Sequence, residues 1–269
     1  MTRKFTWFNA TSLTLGFVFL YLPILLLMIY SFNESRLVTV WAGWSTKWYG
    51  EVLRDDAILG AAWVTARVGF FSATLATILG TLAAYVLVRA GRFSGRTLFS
   101  GMIYAPLVMP EVITGLSLLL LFISLSVDRG VMTIVLAHTT FSMCYVSVVV
   151  SSRLVSFDRS LEEAALDLGC TPFEAFRLVT LPIIAPAVAA GWLLAFTLSL
   201  DDLVIASFTS GPSATTLPMK IFSAVRLGVS PEINALSTIL ILIVTFGVIT
   251  TSLVTKRAAQ RREAEARAA

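Results

Sequence analysis

Three carboxylates stand inside stretches that are otherwise apolar: Glu111, in Pro106-Leu107-Val108-Met109-Pro110-Glu111, and the neighbours Asp201 and Asp202. Charge inside hydrocarbon is expensive, so such groups are read first as a solute pathway or as one half of a buried pair. Counted along an unbroken helix, Glu111 lies roughly 15 Å deep, near the middle of a bilayer. Pro106 and Pro110, with Gly115 beyond, should break that helix and free carbonyls able to attract a cation. Asp201 and Asp202 fall toward the far end of another apolar stretch. Adjacent helical residues project about 100° apart, so one aspartate faces a central cavity and the other needs a partner, with Lys220 or Arg226 as candidates. Three acids with no intramembrane lysine to match them favour a cationic solute.

Other chemistry is missing. The only histidine, His138, sits in an apolar stretch and serves either as a proton relay or, more simply, as a hydrogen-bonded packing residue. A metal cluster and a Ser/His/Asp arrangement are therefore not expected. The phosphate loop G-x-x-x-x-G-K-[S/T] is absent, and the dipeptide Gly-Lys does not occur, so any ATP must be bound by another polypeptide. The reading is a transport subunit, not an enzyme, with no cofactor of its own.

A second pattern is mechanical. From Asp158 to Arg177 the chain is too polar for hydrocarbon. Ser160-x-x-Glu163 fits a capping box, so a short helix should start near Leu161. Gly169 should end it in the left-handed conformation. Thr171, Pro172 and Glu174 then start a second helix as N-cap, first position and third position, with Pro182 marking its end.

These features need membrane helices to hold them. Hydrophobic residues make up 57% of the 269 residues and charged ones 13%, which is a membrane composition. Six apolar stretches approach or exceed the roughly 20 residues that span a 30 Å core: Ser12–Tyr30, Val68–Val88, Met102–Val127, Val131–Val150, Ile183–Phe208 and Ile233–Val254. No period-two alternation suggests a barrel, so the fold class is an all-α polytopic bundle. Thirteen of the 20 lysines and arginines fall on the side shared by the two termini and the Asp158–Arg177 run, which puts all three in the cytoplasm. The first span is read as a retained anchor, and Cys144 and Cys170 as unpaired. The net charge of +4 follows from the basic tail and calls for no nucleic acid. The outer loop carries Trp41, Trp44, Trp48 and Tyr49, which form an aromatic belt at the interface, a docking surface for a delivery protein, or faces for an ammonium group.

Glu163-Ala164-Ala165, Gly169, and Val179-x-Leu181-Pro182 match the "EAA" loop of ABC importer permeases, with Val179 where isoleucine is commoner. The resemblance implies a type I permease fold, with this helix pair set between the fourth and fifth spans and inserted in a groove of a cytoplasmic ATPase. The stretches Leu37–Tyr49, Ala105–Gly115, Ser199–Phe208 and Ser230–Leu236 resemble those of polyamine importer permeases. That resemblance implies import of a small aliphatic diamine through a pore shared with a homologous second permease. A periplasmic polyamine-binding protein would deliver the solute, and an ATPase dimer using ATP and Mg²⁺ would drive transport. Residues 1–60 are then a stub, first span and outer loop, 61–253 the permease domain, and 254–269 a charged tail. Alternatives are another cationic solute, such as spermidine or ferric ion, and a stand-alone secondary carrier with His138 on a proton path.

Overall fold

The computed structural model describes residues 6–37, 40–228, 230–247 and 249. Its elements are helical: α1 Trp7–Tyr30, α2 Lys47–Val52, α3 Asp56–Arg89, α4 Arg96–Val108, α5 Glu111–Ser124, α6 Val131–Ser156, α7 Ser160–Asp167, α8 Pro172–Ala175, α9 Leu181–Leu200, α10 Val204–Thr209, α11 Leu217–Leu227 and α12 Pro231–Gly247. A π-helical turn, Phe176–Thr180, joins α8 to α9. Among the described residues the only β pairing is an isolated bridge between Asn33 and Trp44.

Among the described residues four helices are long and apolar enough to cross a bilayer: α1, α3, α6 and the continuous run Pro172–Leu200. The pair α4 and α5 makes a fifth span if taken together, bent by 117°. The predicted sixth span, Ile233–Val254, overlaps α12 and then runs past the described residues, as does the tail from 254.

Two predicted spans are interrupted. Met102–Val127 is not one helix: it breaks at Met109-Pro110, where Met109 is extended (φ −74°, ψ 134°) because the proline ring disfavours helical geometry in the residue before it. Pro106 stays inside α4, and Gly115 lies buried inside α5 against Phe208, so neither marks the break. Ile183–Phe208 also divides, with α9 ending at Leu200 and α10 starting at Val204.

The chain forms two compact units, one of residues Ala57–Lys220 and one of the described residues before and after it. In the first, α6 is the central post. Ala73, Ala76 and Ala84 of α3 and Ile184 and Ala195 of α9 join Val146, Val150 and Leu154 of α6 in one buried cluster. Small residues let the backbones approach, which is how helices gain dispersion contacts where lipid is as apolar as leucine. Gly80 is the tightest point of this cluster, since a Cβ there would lie 2.7 Å from the Met143 carbonyl oxygen and 2.8 Å from Val146 Cβ. At 34 residues α3 is roughly 50 Å long, more than a bilayer core, so its last turn carries Arg89 out to the polar loops.

In the other unit α1 has no buried residue, whereas the loop after it is tightly tied. Asn33, fully buried, accepts from the Ser35 and Ala42 amides and donates to the Val40 carbonyl.

Candidate functional site

The segment from Asp158 to Pro182 is built as helix, glycine turn, helix. Its first cap differs from the predicted one. Asp158 Oδ1 accepts the Ser160 amide at 3.0 Å, and Ser160 makes no side-chain cap. An aspartate bonding the amide two residues on is an efficient local turn, and here it takes the Ser160 N–H that the capping box would have given to Glu163. The same amide holds the Asp158 carboxyl below its ordinary range. Glu163 does not reach back to Ser160 but pairs with Arg159 at 3.1 Å on the exposed face. Gly169 has φ +92°, the left-handed geometry that ends α7. Thr171 and Glu174 form the reciprocal capping box: the Glu174 carboxylate accepts the Thr171 amide at 2.8 Å, which lowers its pKa, and Thr171 Oγ1 accepts the Glu174 amide at 3.3 Å.

Pro182 does not end the second helix. Proline has no N–H to donate and its ring crowds the preceding turn. The chain meets this by widening: the Leu181 amide donates to the Phe176 carbonyl, five residues back, and the helix runs on as α9. The second short helix α8 and the membrane-length α9 are thus one continuous rod from Pro172 to Leu200.

The two faces of the segment differ in chemistry. Leu161, Leu168 and Phe173 are exposed, Leu168 to 86%, and Ala164 and Glu163 lie on the same open side. Ala165 is buried, and Phe176 is half-buried with its ring 4.9 Å edge-on to Tyr85, so these two face the bundle and not an outside groove. The principal inward contact was not legible in the motif. Glu162, 8% exposed, accepts Thr180 Oγ1 at 2.6 Å through Oε1 and meets Arg89 Nε at 2.8 Å through Oε2. The Arg89 guanidinium also lies over the Phe157 ring, 5.4 Å from its centroid. A small cleft of about 120 Å³ beside this clamp is lined by Tyr85, Arg89, Glu162 and Pro172. The sequence signal for Glu162 is its spacing of three from Ala165, which puts both on one helical face.

The acids of the apolar stretches are treated unequally. Glu111 is exposed and is the first residue of α5, directly after the bend, where the helix dipole favours an anion. Its depth can no longer be counted along one straight helix. Asp201 and Asp202 are not consecutive helical residues either, because the chain leaves the helix there. Asp202 is buried: Oδ1 accepts the Ile205 amide at 3.2 Å, Oδ2 accepts the Ala206 amide at 2.7 Å, and Oδ2 lies 3.0 Å from His138 Nε2. That last approach is within ion-pair range but lacks the alignment of a hydrogen bond. The partner of the buried aspartate is therefore His138, and neither Lys220 nor Arg226, the latter stacked on Phe222 at 4.7 Å. His138 Nδ1 is 2.6 Å from Ser199 Oγ, which accepts from Ser72 Oγ at 3.2 Å. Asp201 is left exposed between these two anchor points.

The aromatic candidates also divide. Trp48 is 4% exposed and donates Nε1–H to the Asn33 carbonyl at 2.7 Å, while the Tyr49 hydroxyl bonds Ser31 at 2.6 Å. Trp41 and Trp44, edge to face at 5.0 Å, remain 42% and 71% exposed. A groove of about 550 Å³ lined by Trp63, Arg67, Phe70, Phe71, Trp192 and Phe196 carries no acid. It is not where the carboxylates are.

Among the described residues the fold is an all-helical bundle with several membrane-length helices, and family comparison assigns it. Residues 76–263 match the model for the binding-protein-dependent transport system inner membrane component, so the chain belongs to that family. It is a transport permease of the inner membrane and not an enzyme. The chain is 64% identical over 235 residues to the putrescine transport system permease protein PotI of Escherichia coli K12, covering 85% of this chain and 84% of the relative. It is 44% identical over 244 residues to the spermidine/putrescine transport system permease protein PotC of the same strain, covering 91% and 92%. Its fold is that of a bacterial ABC transporter that imports the acidic polysaccharide alginate, with a TM-score of 0.70 at 19% identity, covering 90% of this chain and 94% of that one.

Proposed function

We propose that this chain is the permease subunit of an ATP-driven importer that carries a polyamine, putrescine in the first place, across the inner membrane by alternating access. The identity to the putrescine permease supports the solute. It pairs with a homologous second permease. A periplasmic polyamine-binding protein delivers the solute, and a cytoplasmic ATPase dimer handles ATP and Mg²⁺. Both termini and the 158–182 segment then face the cytoplasm.

The observation that carries the coupling is the two-sidedness of that segment. Leu161, Leu168 and Phe173 stand free for a partner groove, while Glu162 grips Arg89 of α3 and Thr180 of the π turn. A displacement of α7 is passed to α3 through the ion pair and to the rod that continues as α9 through the Thr180 hydrogen bond. On the pathway, exposed Glu111 and Asp201 receive the ammonium groups. Each such pair at about 4 Å is worth on the order of 4 kcal/mol at an effective dielectric of 20, before desolvation. Asp202, already held by His138 and two amides, serves the geometry of the break. Trp41 and Trp44 offer a docking surface to the delivery protein.

The test is uptake by the complete importer in proteoliposomes. Putrescine should accumulate only with ATP, and Glu111→Gln and Asp201→Asn should each lower accumulation with assembly intact. Accumulation by this chain and its partner permease without the ATPase would make it a secondary carrier. Competition by spermidine measures how far the solute class extends.

A further inference from the structure

The interruption between α9 and α10 is bridged by one side chain from a different helix. Ser199, in the last turn of α9, meets His138 Nδ1 at 2.6 Å, and Asp202, before α10, meets His138 Nε2 at 3.0 Å. The imidazole is 2% exposed, and Ser72 of α3 completes the chain through Ser199. Asp202 Oδ2 and His138 Nε2 face each other within ion-pair range. Leu200 and Asp201 are the residues strung between the two anchors, and Asp201 points to solvent.

We propose that His138 is a positioning residue for the solute pathway: by tying Ser199 to Asp202 across the helix break, it fixes where Asp201 presents its carboxylate to a cationic solute. The proposal rests on the polyamine reading given above. A hydrogen-bonded packing residue would need polar partners, but not partners that flank a helix break. This histidine meets Ser199 in the last turn of α9 through Nδ1 and faces Asp202 in the break through Nε2, on either side of Leu200 and Asp201. Its removal should leave the bundle folded, because Asp202 keeps the Ile205 and Ala206 amides and α10 stays capped without it.

The experiment uses the complete importer in proteoliposomes, with putrescine uptake and ATP hydrolysis measured together. His138→Leu is expected to lower uptake per ATP hydrolysed about tenfold, as loss of one well-placed charged contact would. His138→Gln, which keeps groups able to meet Ser199 and Asp202, should recover part of that loss. Because His138 acts through Asp202, the double variant His138→Leu/Asp202→Asn should be no worse than His138→Leu alone. Normal uptake per ATP in His138→Leu, while Asp201→Asn is impaired, overturns the inference and leaves the pathway standing. Normal uptake in Asp201→Asn overturns the pathway itself, and the inference with it.

Discussion

Glu162→Gln is the sharpest perturbation of the clamp. The amide keeps an oxygen for Thr180 Oγ1 but removes the charge facing Arg89, whose side chain is only 12% exposed. Removing one member of a buried pair costs about 3–5 kcal/mol, because the remaining charge is left desolvated. Arg89 retains the Phe157 ring and some solvent, so we expect about 3 kcal/mol, at the lower end of that range. Replacing both partners, Arg89→Leu with Glu162→Leu, removes the stranded charge and should destabilise less than Glu162→Gln. The assay is thermal unfolding of the purified complex in detergent, followed by uptake per ATP hydrolysed in proteoliposomes. Glu162→Gln should lower the unfolding midpoint and the coupling ratio together, whereas Glu163→Gln, whose exposed pair with Arg159 is worth under about 1 kcal/mol, should leave the midpoint unchanged. A Glu162→Gln midpoint equal to that of the parent, or a double variant worse than the two singles combined, would refute the clamp.

The remaining expectations are independent of it. Gly169→Val forces a β-branched residue to φ +92° and should cost about 1–2 kcal/mol locally, read as faster proteolysis at residues 168–171 and a lower coupling ratio. Gly80→Leu has no space against Met143 and Val146 and should cost about 1–3 kcal/mol or more, read as loss of folded protein in detergent. The carboxyls of Asp158 and Glu174 are both held below the ordinary range by backbone amides, so their contribution is fully present at neutral pH. It is lost only as pH falls below about 4, and hydrogen exchange in residues 158–175 should be flat from pH 7 to 5, after correction for intrinsic rates, and accelerate below that.

The legibility of this molecule in its sequence followed the range of each interaction. Gly169, Thr171, Pro172 and Glu174 act on neighbours within four residues, and the turn and second cap stand as their order implies. Asp158 took the first cap because it competes locally with Glu163 for the Ser160 amide, a contest that residue types alone leave open. Pro110 broke its helix, whereas Pro106 and Pro182 did not, because a π turn or a freed carbonyl can absorb a proline when flanking packing holds the axis. The aspartate pair was misread for a different reason. An unbroken span over Ile183–Phe208 puts both aspartates inside a helix, but α9 ends at Leu200, and the partner of Asp202, His138, lies 64 positions away on α6. Nothing local connects the two. Glu162 was overshadowed by Glu163 because the motif marks the exposed face, while the inward face is defined by Arg89, which arrives from the far end of α3.

Photo-crosslinking from position 168 tests the central claim most directly, since Leu168, at 86%, is the most exposed large hydrophobic residue of the helix pair and takes part in the end of α7 through its backbone alone. A photoreactive amino acid there, in the assembled importer, should yield one adduct, with the ATPase subunit, and the yield should change between nucleotide-free and nucleotide-trapped states. An adduct with the periplasmic binding protein, or none with the ATPase in either state, would contradict the account.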